Sequence, residues 1–252
     1  MGIKMIVTDL DGTFLRDDKT VSDYTRDVFR RCREKGIKLV FATGRSSYRQ
    51  IPRELFDGEV LSNGAVAFVG DERIYHKPMP IAQARKLLTT AENAGMYIVA
   101  SRGDRHLANF NLREATGYLD GEIADFNKLD FEPHIIFSSA KTAQEIEFFE
   151  NNLPENYHMI VFKDGMALIA REEAVKSKAV AAVAGYWGIK PAEIAGFGDD
   201  LNDIDLLQYC GVGVAMANAQ DETKQVANQI CDTNENDGVA RWIEENLLRN
   251  EL

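Results

Sequence analysis

Two aspartates two residues apart close the first apolar stretch of the chain, in Thr8-Asp9-Leu10-Asp11-Gly12-Thr13. Side chains two residues apart in extended backbone point the same way, so both carboxylates can converge on one reacting centre. Gly12 then permits a tight turn that a residue with a Cβ resists. An Asp-Gly pair also closes many ordinary strands, so the motif gains meaning only from its company. A second apolar run ends in Thr43-Gly44-Arg45-Ser46, which offers a hydroxyl and backbone N–H groups at the start of a helix. Such turns attract phosphate through those donors and the helix dipole, although Thr43 or Ser46 would equally serve as an N-cap. A third run ends in Gly198-Asp199-Asp200-Leu201-Asn202-Asp203, with three carboxylates in five positions. One such acid can cap a helix, whereas three at one strand end need a cation to offset them. Oxygen ligands from Asp9, Asp199 and a backbone carbonyl suit a hard ion such as Mg2+, with water completing the octahedron. Upstream, Val175-Lys176-Ser177-Lys178 opens a helix-like segment. A lysine there can neutralise a phosphate and an attacking aspartate together, while a lysine without such context is ordinarily a solvated surface residue.

The elements that must position these residues follow from the pattern of apolar runs. Short, continuous β-branched runs at 3–8, 37–42, 60–62, 194–197 and 212–215 alternate with helix-like segments. That alternation predicts a doubly wound α/β core around a parallel sheet covered on both faces. The middle of the chain differs, with helix-like periodicity at 81–93 and 143–152 and strand-like runs at 96–101, 106–110, 135–138, 159–162 and 167–170. Asp164-Gly165 between the last two signals a hairpin, hence antiparallel pairing. Pro78 and Pro80 precede this block and a charged stretch at 171–174 follows it. The expected organisation is therefore a discontinuous core domain of 1–78 and 172–252 interrupted by an α+β domain at 79–171.

Composition narrows the function classes. The 252 residues are 45% hydrophobic and carry Lys+Arg 29 against Asp+Glu 40, a formal net charge of -11. An acidic excess spread along the chain argues against nucleic acid as a partner. The basic concentration from Arg26 to Lys35 is interleaved with Val28, Phe29 and Cys32, and reads as the solvated face of an amphipathic helix. Cys32, Cys210 and Cys231 lack the spacing of a disulfide framework or a thiolate metal site, which points to a reducing, cytoplasmic setting. No stretch approaches the roughly 18 apolar residues of a spanning helix, and the first residues carry no signal-peptide pattern, so no membrane role is expected. Gly2 suggests myristoylation, but Ile6 stands where Ser or Thr is wanted. His76, His106, His134 and His158 have no metal-ligand spacing, and Trp187 and Trp242 sit in apolar helical patterns as core residues.

Taken in order, Asp9-Leu10-Asp11-Gly12-Thr13, Thr43-Gly44-Arg45, Lys176 and Gly198-Asp199-Asp200-Leu201-Asn202-Asp203 resemble the four motifs of the haloacid dehalogenase-like hydrolases. The long insert resembles the α/β cap of the Cof-type sugar-phosphatase branch, as do Asn63-Gly64-Ala65 and Asn236-Asp237-Gly238-Val239. One departure is the residue after the third-motif lysine, where that branch usually has glycine and this chain has Ser177 followed by Lys178. Counting back from Gly188-Ile189-Lys190-Pro191 favours Lys176 as the phosphate-binding lysine, with Lys178 in reserve. The resemblance implies an Mg2+-dependent phosphomonoesterase in which Asp9 is the nucleophile and Asp11 the general acid and base. It implies that Leu10, Thr43, Gly44, Lys176 and Asn202 face the substrate phosphate. Mg2+ would be bound by Asp9, Asp199 and the Asp11 carbonyl, with Asp203 as a supporting carboxylate. The expected substrate is a sugar phosphate or a similar small phosphorylated metabolite, which Arg102, Arg105 or His106 could face from the cap. The protein is expected as a monomer or weak homo-oligomer. Two rival readings remain open: a phosphomutase-like phosphotransferase, and a non-catalytic module that binds Mg2+ and a phosphorylated metabolite.

Overall fold

Unbroken Val, Ile, Leu and Phe runs fold as strands buried on both faces, because no residue in them can sit against water without loss. The computed structural model describes residues 2–249 apart from 118 and 124. Its first stretch holds β1 (Met5–Thr8), α1 (Asp23–Glu34), β2 (Lys38–Ala42), β3 (Gly58–Leu61), β4 (Val66–Val69) and β5 (Glu72–His76). The middle holds α2 (Ile81–Asn93), β6 (Ile98–Arg102), β7 (Arg105–Ala108), α3 (Leu112–Thr116), β8 (Glu122–Ile123), β9 (Ile135–Ser139), α4 (Ala143–Asn152), β10 (Tyr157–Val161) and β11 (Met166–Arg171). The last stretch holds α5 (Lys176–Tyr186), β12 (Ile194–Gly198), α6 (Ile204–Tyr209), β13 (Val212–Ala215), α7 (Asp221–Val226), β14 (Gln229–Ile230) and α8 (Gly238–Ile243). The chain divides into two compact units, one of Met1–Gly44, Arg49–His76 and Val175–Leu252, the other of Arg45–Tyr48 and Lys77–Ala174.

In the first unit the sheet order is β14-β13-β12-β1-β2-β3-β4-β5. From β14 through β3 every pairing is parallel, and β4 and β5 extend one edge as antiparallel strands. The sequence pattern did not place these two, since β5 is half-exposed and the Gly70-Asp71 turn breaks the apolar run between them. Helices cover both faces of the sheet. On one, Ala179, Val180 and Val183 of α5 and Leu206 of α6 pack on Met5, Val7, Val40, Val60 and Ile194. On the other, the rings of Phe14, Phe29, Phe41 and Phe56 stack edge to face or tilted at centroid separations of 4.8 to 5.2 Å along the chain of contacts from Phe29 to Phe41. Each buried aromatic of this kind contributes about 1.5–3 kcal/mol relative to exposure. Phe29 comes from α1, whose buried face of Thr25, Val28, Phe29 and Cys32 matches the amphipathic pattern and whose N-cap is Ser22, accepting from the Thr25 N–H.

The second unit has a six-stranded sheet of order β10-β11-β9-β6-β7-β8. It is antiparallel throughout except for the short β7–β8 pair. The β10–β11 hairpin turns at Asp164-Gly165, where the Asp164 carboxylate accepts from the Met166 N–H at 2.9 Å. Helix α4 starts from a capping box in which Thr142 and Glu145 satisfy each other's backbone N–H groups.

Candidate active site

Strand register delivers the chemistry-bearing residues to one place. Thr8 at the end of β1 pairs with Phe197 of β12 on one side and Phe41 of β2 on the other. The residues that follow these strands, Asp9, Asp199 and Thr43, therefore leave the sheet side by side. The chain winds away from β1 in opposite directions through β2 and β12, so this is the switch point at which open α/β sheets bind ligands.

Asp9 is 7% exposed, and its Oδ1 accepts from the Lys176 ammonium at 2.7 Å. Lys176 is wholly buried and donates also to Asp203 Oδ1 at 2.6 Å. Two features hold the lysine there. The Ser177 N–H at the start of α5 donates to Asp205 Oδ2 at 2.7 Å, so an acid from α6 caps the helix that Lys176 opens. Alongside, Ser62, Asn63 and Gly64 follow one another at φ values of 52°, 54° and 95°. This left-handed run brings the chain so close to α5 that a Cβ on Gly64 would lie 2.2 Å from the Val175 carbonyl oxygen. Lys178, two residues on, is exposed.

The loop after β12 supplies the remaining carboxylates. Asp203 is fully buried and accepts at Oδ2 from the N–H groups of Asp199 and Asp200, at 3.0 and 3.1 Å. Both of its oxygens are thus engaged, one by Lys176 and one by backbone. Asp199 Oδ1 accepts from the Thr13 hydroxyl at 2.6 Å. Gly12, with φ of +77°, passes so near that a Cβ there would lie 2.4 Å from Asp199 Oδ2. The loop after β13 braces both sides: Asn218 Nδ2 donates to the Gly12 carbonyl at 2.7 Å, and Gln220 donates through its N–H to the Asp199 carbonyl at 2.9 Å and through its side chain to Asp200.

Asp9, Asp199 and Asp203 each offer an oxygen within 4.8 Å of the others. Burial raises the Asp9 carboxyl to about 7, with Asp203 and Asp11 adding to the rise and Lys176 opposing it. Burial likewise raises Asp199 to about 8, reinforced by Asp9 and Asp203 and opposed by the Thr13 bond. Burial alone would lower Lys176, but Asp203 and Asp9 outweigh it and hold the ammonium above its ordinary value. One lysine therefore does not neutralise the cluster. The remaining negative potential and an all-oxygen donor set fit a hard divalent cation. With Asp203 engaged elsewhere, Asp9 and Asp199 are the carboxylates best able to take it.

The other candidate residues of the first unit lie on the loops that leave β1, β2 and β12. Asp11 turns a half-exposed carboxylate to Lys19, whose ammonium is 2.8 Å from its Oδ1. Leu10 buries its side chain completely, which leaves only its backbone polar. Thr43 is 1% exposed, with its carbonyl accepting from the Asn63 N–H at 2.9 Å. Gly44 runs past Asn202, whose Nδ2 would sit 3.6 Å from a Cβ there. In the second unit, Arg105 pairs with Asp130 at 2.8 Å and lies over the Phe131 ring, and His106 is buried against the Ser101 hydroxyl at 2.9 Å. Thr13, Asn63, Asp205, Asn218 and Gln220 carry site contacts to which the sequence motifs assign no role. Thr13 and Asn63 stand inside short motifs of the sequence and Asp205 adds an acid just past Asp203, while Asn218 and Gln220 lie outside every motif.

The sequence pattern of the haloacid dehalogenase-like hydrolase family matches residues 6–243. A relative from Bacillus subtilis, 5-amino-6-(5-phospho-D-ribitylamino)uracil phosphatase YcsE, is 31% identical, with 96% of this chain and 94% of that protein covered. A second enzyme of the same name and organism, YitU, is 28% identical over 96% of each. Among solved structures, a phosphatase of the haloalkanoate enzyme superfamily from Bacteroides thetaiotaomicron shares the fold with a TM-score of 0.87, at 24% identity over 97% of this chain and 95% of that one. The chain belongs to the haloacid dehalogenase-like hydrolases and is a phosphatase of the Cof type. Among the described residues, no helix is long and apolar enough to cross a membrane.

Proposed function

We propose that the protein is an Mg2+-dependent phosphomonoesterase that hydrolyses small phosphorylated metabolites of the sugar-phosphate kind through a phospho-aspartate at Asp9. The observation that carries this reading is the buried Lys176 ammonium, 2.7 Å from Asp9 and 2.6 Å from Asp203. An aspartate and a phosphate dianion repel. Unit charges about 4 Å apart at an effective dielectric of 20 interact by roughly 4 kcal/mol, a sizeable part of any barrier. A fixed ammonium beside the nucleophile offsets that repulsion without reorganising during reaction. Magnesium, held by Asp9, Asp199 and the Asp11 carbonyl, would supply the rest of the positive charge.

In the first step an Asp9 carboxylate oxygen attacks phosphorus and the ester P–O bond breaks. Asp11 gives its proton to the departing alkoxide. In the second, water attacks phosphorus, Asp11 takes a proton from it, and the acyl-phosphate bond opens to release phosphate and restore the Asp9 carboxylate. Thr43, the Gly44 amide, the Leu10 backbone and Asn202 hold the phosphate oxygens, while Asp203 holds Lys176 and the Asp199 loop. In the present geometry Asp11 faces Lys19, so the acid role includes a turn of its side chain toward the substrate. The substrate class is supported by the two Bacillus relatives, whose names give a phosphorylated ribityl compound as their substrate.

Phosphate release from an aryl phosphate in the presence of Mg2+ tests the proposal. Asp9→Asn is expected to lower turnover by ~10^3-fold or more, given the cost of losing a nucleophile, and a chelator to abolish it. Full activity in Asp9→Asn removes the covalent mechanism, and release that requires an added sugar acceptor points to phosphotransfer instead.

A further inference from the structure

Asn63 touches two of the phosphate-facing residues at once. It is 1% exposed and sits just past β3, in the loop that runs beside the start of α5. Its backbone N–H donates to the Thr43 carbonyl at 2.9 Å. Its side-chain Oδ1 accepts from Asn202 Nδ2 at 3.1 Å. Thr43 follows β2 and Asn202 follows β12, strands that lie on opposite sides of β1. Its own backbone is left-handed, at φ 54° and ψ 30°, between two further positive-φ residues. Such conformations persist where the surroundings demand them.

The chemistry of an amide explains what the contact does. A primary amide presents an acceptor at one end and two N–H donors at the other. Asn202 can attract a phosphate only with its nitrogen end, because its oxygen would repel the anion. Asn63 Oδ1 takes one Nδ2 hydrogen and so fixes which end of Asn202 points to the Thr43-Gly44 turn, while the second Nδ2 hydrogen remains for the ligand. A Cβ added to Gly44 would meet Nδ2 at 3.6 Å, which places that nitrogen beside the same turn.

We infer that Asn63 is a positioning residue that sets the donor orientation of Asn202 and anchors Thr43, so that the two phosphate grips are assembled as one unit. The inference rests on the phosphatase reading, in which Asn202 and Thr43 face phosphate. Asn63 itself touches no substrate.

Tungstate binding, measured by calorimetry in Mg2+ buffer, tests this without relying on turnover. Asn63→Gly keeps the left-handed backbone and the N–H to Thr43 but removes the side-chain acceptor. It is expected to weaken tungstate binding about five- to tenfold, the size of one polar contact, with the melting temperature nearly unchanged. In an Asn202→Ala background the same change is expected to add little, since the two residues act in series. An undiminished penalty in that background overturns the inference, as does tight binding by Asn63→Gly when Asn202→Ala binds weakly. If Asn202→Ala itself binds tungstate normally, Asn202 loses its phosphate role and the inference falls with it. Activity on aryl phosphate, assayed separately, reports on the phosphatase reading alone. A crystal structure of the unaltered protein with tungstate gives a second check that does not depend on any variant folding. Asn202 Nδ2 is expected on the oxyanion while still bonded to Asn63, and an Asn202 side chain turned away from Asn63 overturns the proposal.

Discussion

The Lys176 ammonium stands 2.7 Å from the Asp9 carboxylate in a position closed to solvent. A lysine is rarely buried, and this one is stable because Asp9 and Asp203 both pay back its lost hydration. Replacing it by Met leaves two carboxylates facing each other without a counter-charge. Lys176→Met is expected to destabilise the protein by about 3–5 kcal/mol in urea unfolding, the usual cost of removing one partner of a buried ion pair. A loss below about 1 kcal/mol would mean that Lys176 does little to offset the charges of Asp9 and Asp203.

Thr13 donates its hydroxyl to Asp199 at 2.6 Å and is itself 1% exposed. Thr13→Val keeps the shape and removes the bond. Partners behind a metal ligand typically account for 10- to 100-fold in affinity, so Mg2+ binding measured by calorimetry is expected to weaken by ~10-fold. Unchanged Mg2+ affinity would separate Asp199 from the metal or Thr13 from Asp199.

Gly64 offers a contrast with Gly70, since both have positive φ and only Gly64 has a neighbour that a Cβ would strike. Gly70→Ala is expected to cost roughly 1 kcal/mol through backbone preference alone. Gly64→Ala must also displace the Val175 carbonyl and with it Lys176, so its loss is expected to exceed that of Gly70→Ala by about 1–3 kcal/mol and to lower aryl phosphate turnover as well. Equal losses in the two variants would show that the close approach to α5 is not under tension.

His106 in the second unit is held below its ordinary pKa by burial, with Asp104 opposing the shift. Its folded pKa lies below the unfolded value of about 6.5, so the unfolded chain takes up the proton first. Its stabilising share is present above about pH 6.5 and is lost as acidification proceeds toward the folded pKa. His106→Gln, which keeps a polar partner for Ser101, is expected to flatten the stability curve between about pH 7 and 5. An unaltered slope in urea unfolding across that range would assign it to other groups.

Much of this arrangement can be read from local pattern. The strands β1, β2, β12 and β13 announce themselves as unbroken apolar runs, and the helices α2 and α4 as periodic ones, because burial on two faces or one leaves opposite signatures. Asp9 and Asp199 are visible for the same reason, as acids set at the ends of such runs. Strands β4 and β5 leave no comparable trace, being short, partly exposed and broken by a turn. The supporting contacts are hidden for a different reason. Thr13 reaches Asp199 across 186 residues of sequence and Asn202 reaches Asn63 across 139. Threonine and asparagine are common in loops, and nothing in their spacing tells which distant partner the topology will bring.

Because Thr8 is paired on both flanks, its neighbour Asp9 inherits its aim from the backbone ladder of the sheet. Sliding β1 by a single residue would send its alternate side chains to the opposite face, turning Met5 and Val7 away from their helices in the same stroke. A misaligned chain is thus penalised by greasy contacts long before any reaction is attempted. Quality control of the chemistry is delegated to the folding of the hydrophobic interior.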